Sequence, residues 1–217
     1  MKWSLIQKTP NPTVEAYGYH DPRVKEFLRQ EGGLRCVYCA VNENALGGIQ
    51  AFHVEHYRPK SKPEFRALEN ALSNLFYACP ICNRFKSNDW PAEPHRLFKN
   101  SSYPDPSSVD YTILFNVNSK NGSVVGTKVA SKYIVERLYF NRPQLILERR
   151  QYFLDQELTE LNNEYSTLIP LLGKKGDARS IKYLTKLSEM SNKLNQLLID
   201  LKKIPSYELG DVTKKKK

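Results

Sequence analysis

The residues of this 217-residue chain best suited to chemistry are four cysteines and one acid–histidine pair. Cys36-Val-Tyr-Cys39 and Cys79-Pro-Ile-Cys82 are two C-x-x-C pairs with thirty-nine residues between them, and the chain has no other cysteine. Paired thiolates at this spacing are what one tetrahedral Zn²⁺ requires, so a single structural zinc site is expected. Four buried thiols without a metal would need no such pairing. A zinc held this way closes a loop of more than forty residues and fixes its two ends close together.

Inside that loop lies His53-Val-Glu-His56, followed by Tyr57-Arg58-Pro59-Lys60. Neighbours on an extended strand point to opposite faces, so Glu55 and His56 cannot both serve a one-sided core. One of them needs another task. Glu55 offers a charged oxygen, and Asn83, next after the last cysteine, offers a neutral carbonyl oxygen. That hard, sparse donor set suits Mg²⁺ and leaves room for waters and a phosphate. A histidine beside such a metal, with an unperturbed pKa of ~6.5, is suited to take a proton from a water attacking phosphorus. The zinc would clamp the strand against whatever follows Cys82, and so draw Glu55, His56 and Asn83 toward one point.

Several elements must hold these residues in place. "HDPRVKEFLRQEGG" predicts a short helix capped by Asp21, with Pro22 in its first turn and Gly32-Gly33 at its end. The twenty residues before it carry Pro10, Pro12 and few periodic apolar positions, and read as an irregular segment lying on the surface. Residues 111–117 and 123–129 predict a β-hairpin around an Asn-Gly turn. From about residue 128 the pattern is helical. Leu154, Leu158, Leu161, Tyr165, Leu168 and Leu172 recur at steps of four and three, as do Leu184, Leu187, Leu194, Leu198 and Leu201 with Ser191 in the vacant slot. "GKKGD" at 173–177 breaks the two runs, so an antiparallel helical hairpin is expected, with Tyr152, Phe153, Ile181 and Tyr183 off its seam. Such a hairpin serves as scaffold or as an arm for a partner. The expected organisation is 1–33, irregular segment and short helix; 34–100, the chemical core; 101–130, hairpin; and 131–217, helical extension with a basic tail.

The formal charge of +10 favours a polyanionic partner such as nucleic acid, although Lys214 to Lys217 supply four of those charges. Arg58, Lys60, Lys62, Arg84 and Lys86 surround the expected site in sequence and are candidates to neutralise backbone phosphates; a solvated face would look similar. His53 reads as a phosphate donor or a structural residue, and His95 as structural. No stretch approaches the apolar length of a membrane helix, and "MKWSLIQKTPNP" lacks the apolar segment of a secretory signal. A soluble cytoplasmic protein is expected, in which disulfides are disfavoured.

Cys36-x-x-Cys39, Glu55-His56, Asn74-Leu75 and Cys79-x-x-Cys82-Asn83-x-x-Lys86, in that order, resemble the HNH endonucleases of the ββα-metal fold over residues 34–90. The resemblance implies that Glu55 and Asn83 are the ligands of a catalytic metal and that His56 is the general base. It implies that Asn74 holds the loop that steadies the base, and that the four cysteines carry the structural zinc of the zinc-bearing branch. It also implies cleavage to 5′-phosphate and 3′-hydroxyl ends. Glu55 stands where Asp is commonest and Asn83 where His is frequent, which favours Mg²⁺ or Mn²⁺ as the catalytic metal. The implied fold class is α+β: a zinc-stapled ββα-metal core with a mainly α-helical C-terminal extension. A looser resemblance, carried by "EHYRPK", "ACPICNRFK" and "FNRPQLILERRQYF", is to bacterial HNH proteins that include the nuclease partners of ATPases in anti-phage systems of the Septu and retron type. It implies an ATPase partner and a defence role. The competing expectation is a zinc-ribbon module that binds nucleic acid without cutting it; DNA is the favoured substrate, with RNA such as tRNA left open.

Overall fold

The computed structural model describes residues 3–10, 12–172 and 178–202. They fall into two compact units. One comprises the residues up to Asn118 together with Ser123–Leu145, and the other comprises Ser119–Gly122 and the described residues from Ile146 onward.

In the first unit, helix α1 (Pro22–Glu31) begins where the Asp21 carboxylate accepts the Arg23 N–H at 2.8 Å, and its exit is turned by Gly33 at a φ of +58°. This is the capped, glycine-terminated helix that the sequence predicts. It buries Val24 and Leu28 and packs against strand β1 (His53–His56) and strand β2 (Leu75–Ala78). The two strands are antiparallel, with Glu55 opposite Phe76 and His56 opposite Leu75. Every residue of β2 is apolar in body and buried, so the mixed polar strand β1 lies beside a wholly buried neighbour. Helix α2 (Pro80–Lys86) follows β2 with no loop. Cys79 ends the strand and caps the helix, its Sγ accepting the Cys82 N–H at 3.4 Å, and Pro80 fills the first position where no donor is needed.

Strands β3 (Phe115–Val117) and β4 (Val124–Gly126) form the second antiparallel pair, shorter than predicted at both ends. Before it, the Asp110 carboxylate accepts the Thr112 N–H at 2.8 Å and folds Tyr111–Ile113 into a 3₁₀ turn. After it, helix α3 (Val129–Arg137) has already begun. A side chain at Gly126 would meet the backbone of Ser131 and Lys132, so glycine lets α3 close onto β4.

The opening segment departs from expectation. Trp3 is only 5 % exposed and Ile6 only 7 %, so both belong to the core and do not lie on its surface. The Trp3 indole N–H donates to the Tyr38 carbonyl at 2.7 Å, and its ring lies 4.9 Å from that of Phe115. Two isolated apolar residues in an extended strap have no periodicity by which sequence could identify them.

The second unit holds most of helix α4 (Pro143–Leu168) and helix α5 (Ala178–Lys202). Glu157 pairs with Lys193 at 2.8 Å and Glu164 pairs with Lys186; as one number rises the other falls, so the helices run antiparallel. Their seam is Leu161 and Leu168 against Met190 and Leu197, flanked by Leu154, Leu158, Tyr183 and Leu187. On α5 this is one position away from the predicted stripe. Leu184 and Leu198 are exposed, as is Tyr165 on α4, while Met190 replaces Ser191 and Tyr183 is drawn inward. Steps of three and four fit either stripe, and the stripe with Met190 fills the slot that Ser191 would leave polar. The connecting residues 173–177 and the lysine tail lie outside the described residues. No helix among the described residues is long and apolar enough to cross a membrane.

Candidate active site and metal centre

The four cysteines come together. Their sulfurs all lie within 4.8 Å of one another, buried and free of disulfides, and no other group of three or more His, Cys, Asp or Glu side chains among the described residues is placed to hold a metal. The Cys39 and Cys79 sulfurs are 3.8 Å apart, and Zn–S bonds of ~2.3 Å in a tetrahedron place sulfurs about 3.8 Å apart. The first pair sits in a tight knuckle: the Cys36 N–H donates to the Val41 carbonyl and the Ala40 N–H to the Cys36 carbonyl, each at 2.9 Å, with Ala40 at a φ of +58°. The second pair is the cap and first turn of α2.

Arg142 is packed against this cluster, and no sequence spacing pointed to it. Its guanidinium nitrogens lie 3.6 Å from the Cys39 sulfur, 3.8 Å from that of Cys79 and 3.8 Å from that of Cys82, and one also donates to the Leu138 carbonyl at 2.9 Å. Against the opposing effect of burial, hydrogen bonds from the neighbouring cysteines and the charge of Arg142 hold the Cys39 thiol well below its ordinary value. A buried guanidinium facing four neutral thiols would be a charge without a counter-charge. Facing thiolates it is paired, and a Zn²⁺ with four thiolates carries two net negative charges. The donor set and its counter-charge therefore fit zinc.

Glu55, His56 and Asn83 line one cavity of about 330 Å³, together with Pro59, Lys60, Ser61, Ser87 and Asn88. β1 presents the first two residues and the first turn of α2 the third, so the cysteine cap that starts α2 also sets Asn83. Glu55 is 3 % exposed. Its Oε1 accepts from the Tyr38 hydroxyl at 3.2 Å and lies 2.7 Å from the Lys86 ammonium. Burial pushes its carboxyl above the ordinary value, with Lys86 pulling the other way. Lys86 is fully buried and also donates to the His56 carbonyl at 2.9 Å. It therefore lies inside the core, not on a phosphate-contacting surface, because the buried Glu55 carboxylate needs a counter-charge that only a lysine one helical turn beyond Asn83 reaches.

His56 Nε2 lies 2.9 Å from the Glu69 carbonyl oxygen. A carbonyl only accepts, so the neutral ring carries its proton on Nε2 and its lone pair on Nδ1. Burial, assisted by Lys60 and Lys86, pushes the imidazole below its ordinary value against the pull of Glu69, which keeps it neutral near pH 7. The edge of Tyr19 packs against it, ring centres 4.7 Å apart. Asn74, 4 % exposed, closes the loop that carries Glu69. Its Oδ1 accepts the Arg58 N–H at 2.8 Å, and its Nδ2 donates to the Arg58 carbonyl at 3.1 Å and to the Leu68 carbonyl at 3.3 Å.

Of the remaining expected residues, Lys60 borders the same cavity, and Arg58, Arg84, His53 and His95 do not. Arg58 turns to Glu93 at 2.9 Å, and Lys60 reaches Glu69 at 3.3 Å as well as the Tyr19 hydroxyl. Arg84 is exposed. His95 is held in a local turn, its Nδ1 accepting the Leu97 N–H at 3.0 Å. His53 is exposed on a second cavity, where burial and the nearby charge of Lys25 push its imidazole down. Asp89 accepts from the Tyr103 and Tyr133 hydroxyls and pairs with Arg137 at 3.2 Å, tying the exit of α2 to α3.

No curated protein and no solved structure matches the chain. Residues 36–89 match the family model described as HNH endonuclease, and that segment contains both cysteine pairs, Glu55, His56, Asn74 and Asn83.

Proposed function

We propose that the chain is a metal-dependent endonuclease that hydrolyses phosphodiester bonds in nucleic acid. One observation carries the reading: Glu55, His56 and Asn83 line a single cavity inside the segment that matches the HNH family. Glu55 and Asn83 supply the oxygens for one Mg²⁺ or Mn²⁺, and their hard, sparse donor set fits such an ion. When bound, that ion supplies charge neutralisation at the phosphate and at the departing 3′ oxygen. The contacts of Glu55 with Tyr38 and Lys86 both fall on Oε1, so Oε2 is the oxygen offered to the metal. His56 Nδ1 takes a proton from water while Nε2–H stays on the Glu69 carbonyl, so the ring is held at one tilt throughout. The water oxygen bonds to phosphorus, the P–O3′ bond breaks with its electron pair leaving on O3′, which takes a proton from solvent water, and 5′-phosphate and 3′-hydroxyl ends result; His56 then returns its proton to solvent. Asn74 acts indirectly, by fixing the loop whose carbonyl orients the base. The cysteine cluster holds Zn²⁺ as a structural ion and positions Asn83.

The decisive experiment is incubation of the purified protein with plasmid, single-stranded DNA and total RNA, with and without Mg²⁺ or Mn²⁺, beside His56→Ala. Metal-dependent cutting that His56→Ala reduces by ~10²-fold or more is expected. Undiminished cutting by the variant overturns the assignment of the base. Binding without cutting by the wild type would favour the zinc-ribbon module. The looser resemblance extends the reading to an anti-phage nuclease that works with an ATPase, and a co-purifying ATPase that raises cleavage is the outcome expected of it.

A further inference from the structure

Beside the cavity of Glu55 and His56 lies a second, of about 490 Å³, whose polar lining includes Tyr19, His20, Lys25, Gln50, His53 and Asn83. Asn83 borders both cavities. The second is assembled from three separate stretches: the approach to α1 and its first turns, the segment leading into and through the start of β1, and the first turn of α2. It contains no carboxylate side chain. The acidic groups around it are committed elsewhere: Asp21 is bound to Arg23 at 2.8 Å, Glu26 to Arg29 at 2.9 Å, Glu55 to Lys86 at 2.7 Å, and Glu43 to Arg29 and, at 2.6 Å, to Tyr77. Lys25 forms no ion pair among the described residues. A lysine ammonium, two imidazoles and two primary amides thus face one concavity that no carboxylate lines.

A concavity lined by a lysine, imidazoles and amides, with no carboxylate to repel an anion, suits a phosphodiester. The shared Asn83 makes the position informative, because a strand whose scissile phosphate lies against Glu55 and His56 must leave that cavity past its walls. We infer that this second cavity is a phosphate subsite of the nuclease, in which Lys25 and His53 hold a backbone phosphate of the same strand next to the one that is cut. The inference rests on the proposed nuclease reading and adds to it a direction for the strand, toward α1. Phosphate contacts position a strand without reading its sequence, so the subsite acts alike on DNA and RNA.

The test uses the full chain in a His56→Ala background, with fluorescein-labelled single-stranded DNA, duplex DNA and single-stranded RNA as probes. Lys25→Ala is expected to reduce the slope of log affinity against log salt by about one, and Lys25→Arg to restore it. Lys25→Ala with His53→Ala is expected to weaken binding by about tenfold or more at low salt. In the His56 background kept wild type, the same pair raises KM and leaves kcat within about twofold, the pattern of lost uniform binding. Lys25→Gln gives the same measurement if alanine disturbs α1, and melting temperatures confirm the fold. If the parent binds and the slope and affinity of the variants are unchanged, the subsite is wrong and the nuclease reading stands. If the His56→Ala parent binds none of the three probes and the wild type cuts none of them, both fall.

Discussion

The Glu55–Lys86 pair shows how a single residue is fixed by its surroundings. Both side chains are almost wholly enclosed, at 4 % and 0 % exposure, so each is the counter-charge of the other. Lys86→Met is expected to cost ~3–5 kcal/mol because it strands a buried carboxylate, whereas the double variant Lys86→Met, Glu55→Gln should be closer to wild type. Chemical denaturation of the two decides the matter, and equal losses would show that the groups are not coupled. Asp89 makes a different prediction. Burial raises its carboxyl, but the hydroxyls of Tyr103 and Tyr133 and the charge of Arg137 more than offset this and hold it below its ordinary value. A carboxyl depressed in the folded state contributes stability above its unfolded pKa of ~3.9, and that contribution is lost as pH falls through the lower folded value. Melting temperatures between neutral and acidic pH should therefore fall below about pH 4 in wild type, and less steeply in Asp89→Asn. Neither pair was legible in the sequence. Glu55 could be singled out because it adjoins His56, but its counter-charge lies thirty-one positions on and Tyr38 seventeen back, and nothing local signals either.

At the scale of elements, legibility followed how local the determining signal is. Helix α1 carries its own cap, first-turn proline and terminal glycines, and its bounds follow from them. The β3–β4 pair had the right turn but too much strand, because an aspartate turn and an early helix start outcompeted apolar alternation. The α4 side of the seam, from Leu154 to Leu168, formed as predicted apart from Tyr165, whereas the α5 side kept Leu187 and otherwise slipped by one position, since a stripe of threes and fours has two solutions there. The two registers predict opposite mutants. Leu197→Ala, at 7 % exposure, is expected to destabilise the helical pair by ~2–4 kcal/mol. Leu198→Ala, at 44 % exposure, should change it by no more than ~0.5 kcal/mol. Thermal unfolding of both variants distinguishes the registers, and a larger loss from Leu198→Ala would restore the predicted stripe.

For the molecule as a whole, the cysteine cluster sets which parts must be present together. One tightly held zinc per chain is expected by metal analysis, and Cys79→Ser should lower zinc content and disorder α2 with Asn83, read by the loss of both cleavage and amide protection in residues 79–87. Arg142 adds a dependence on time. Ribosomes extend a chain at ~5–20 residues per second, N-terminus first, and Arg142 follows Cys82 by sixty residues. For ~3–12 s of synthesis, at those speeds, the nascent chain has all four sulfurs and not the cation that balances them. Zinc captured in that interval is held by thiolate bonds alone, and the arrival of Arg142 then slows its escape. Mature Arg142→Gln protein would be left permanently in that earlier condition, releasing zinc to a chromogenic chelator several times faster than wild type while still binding one ion per chain.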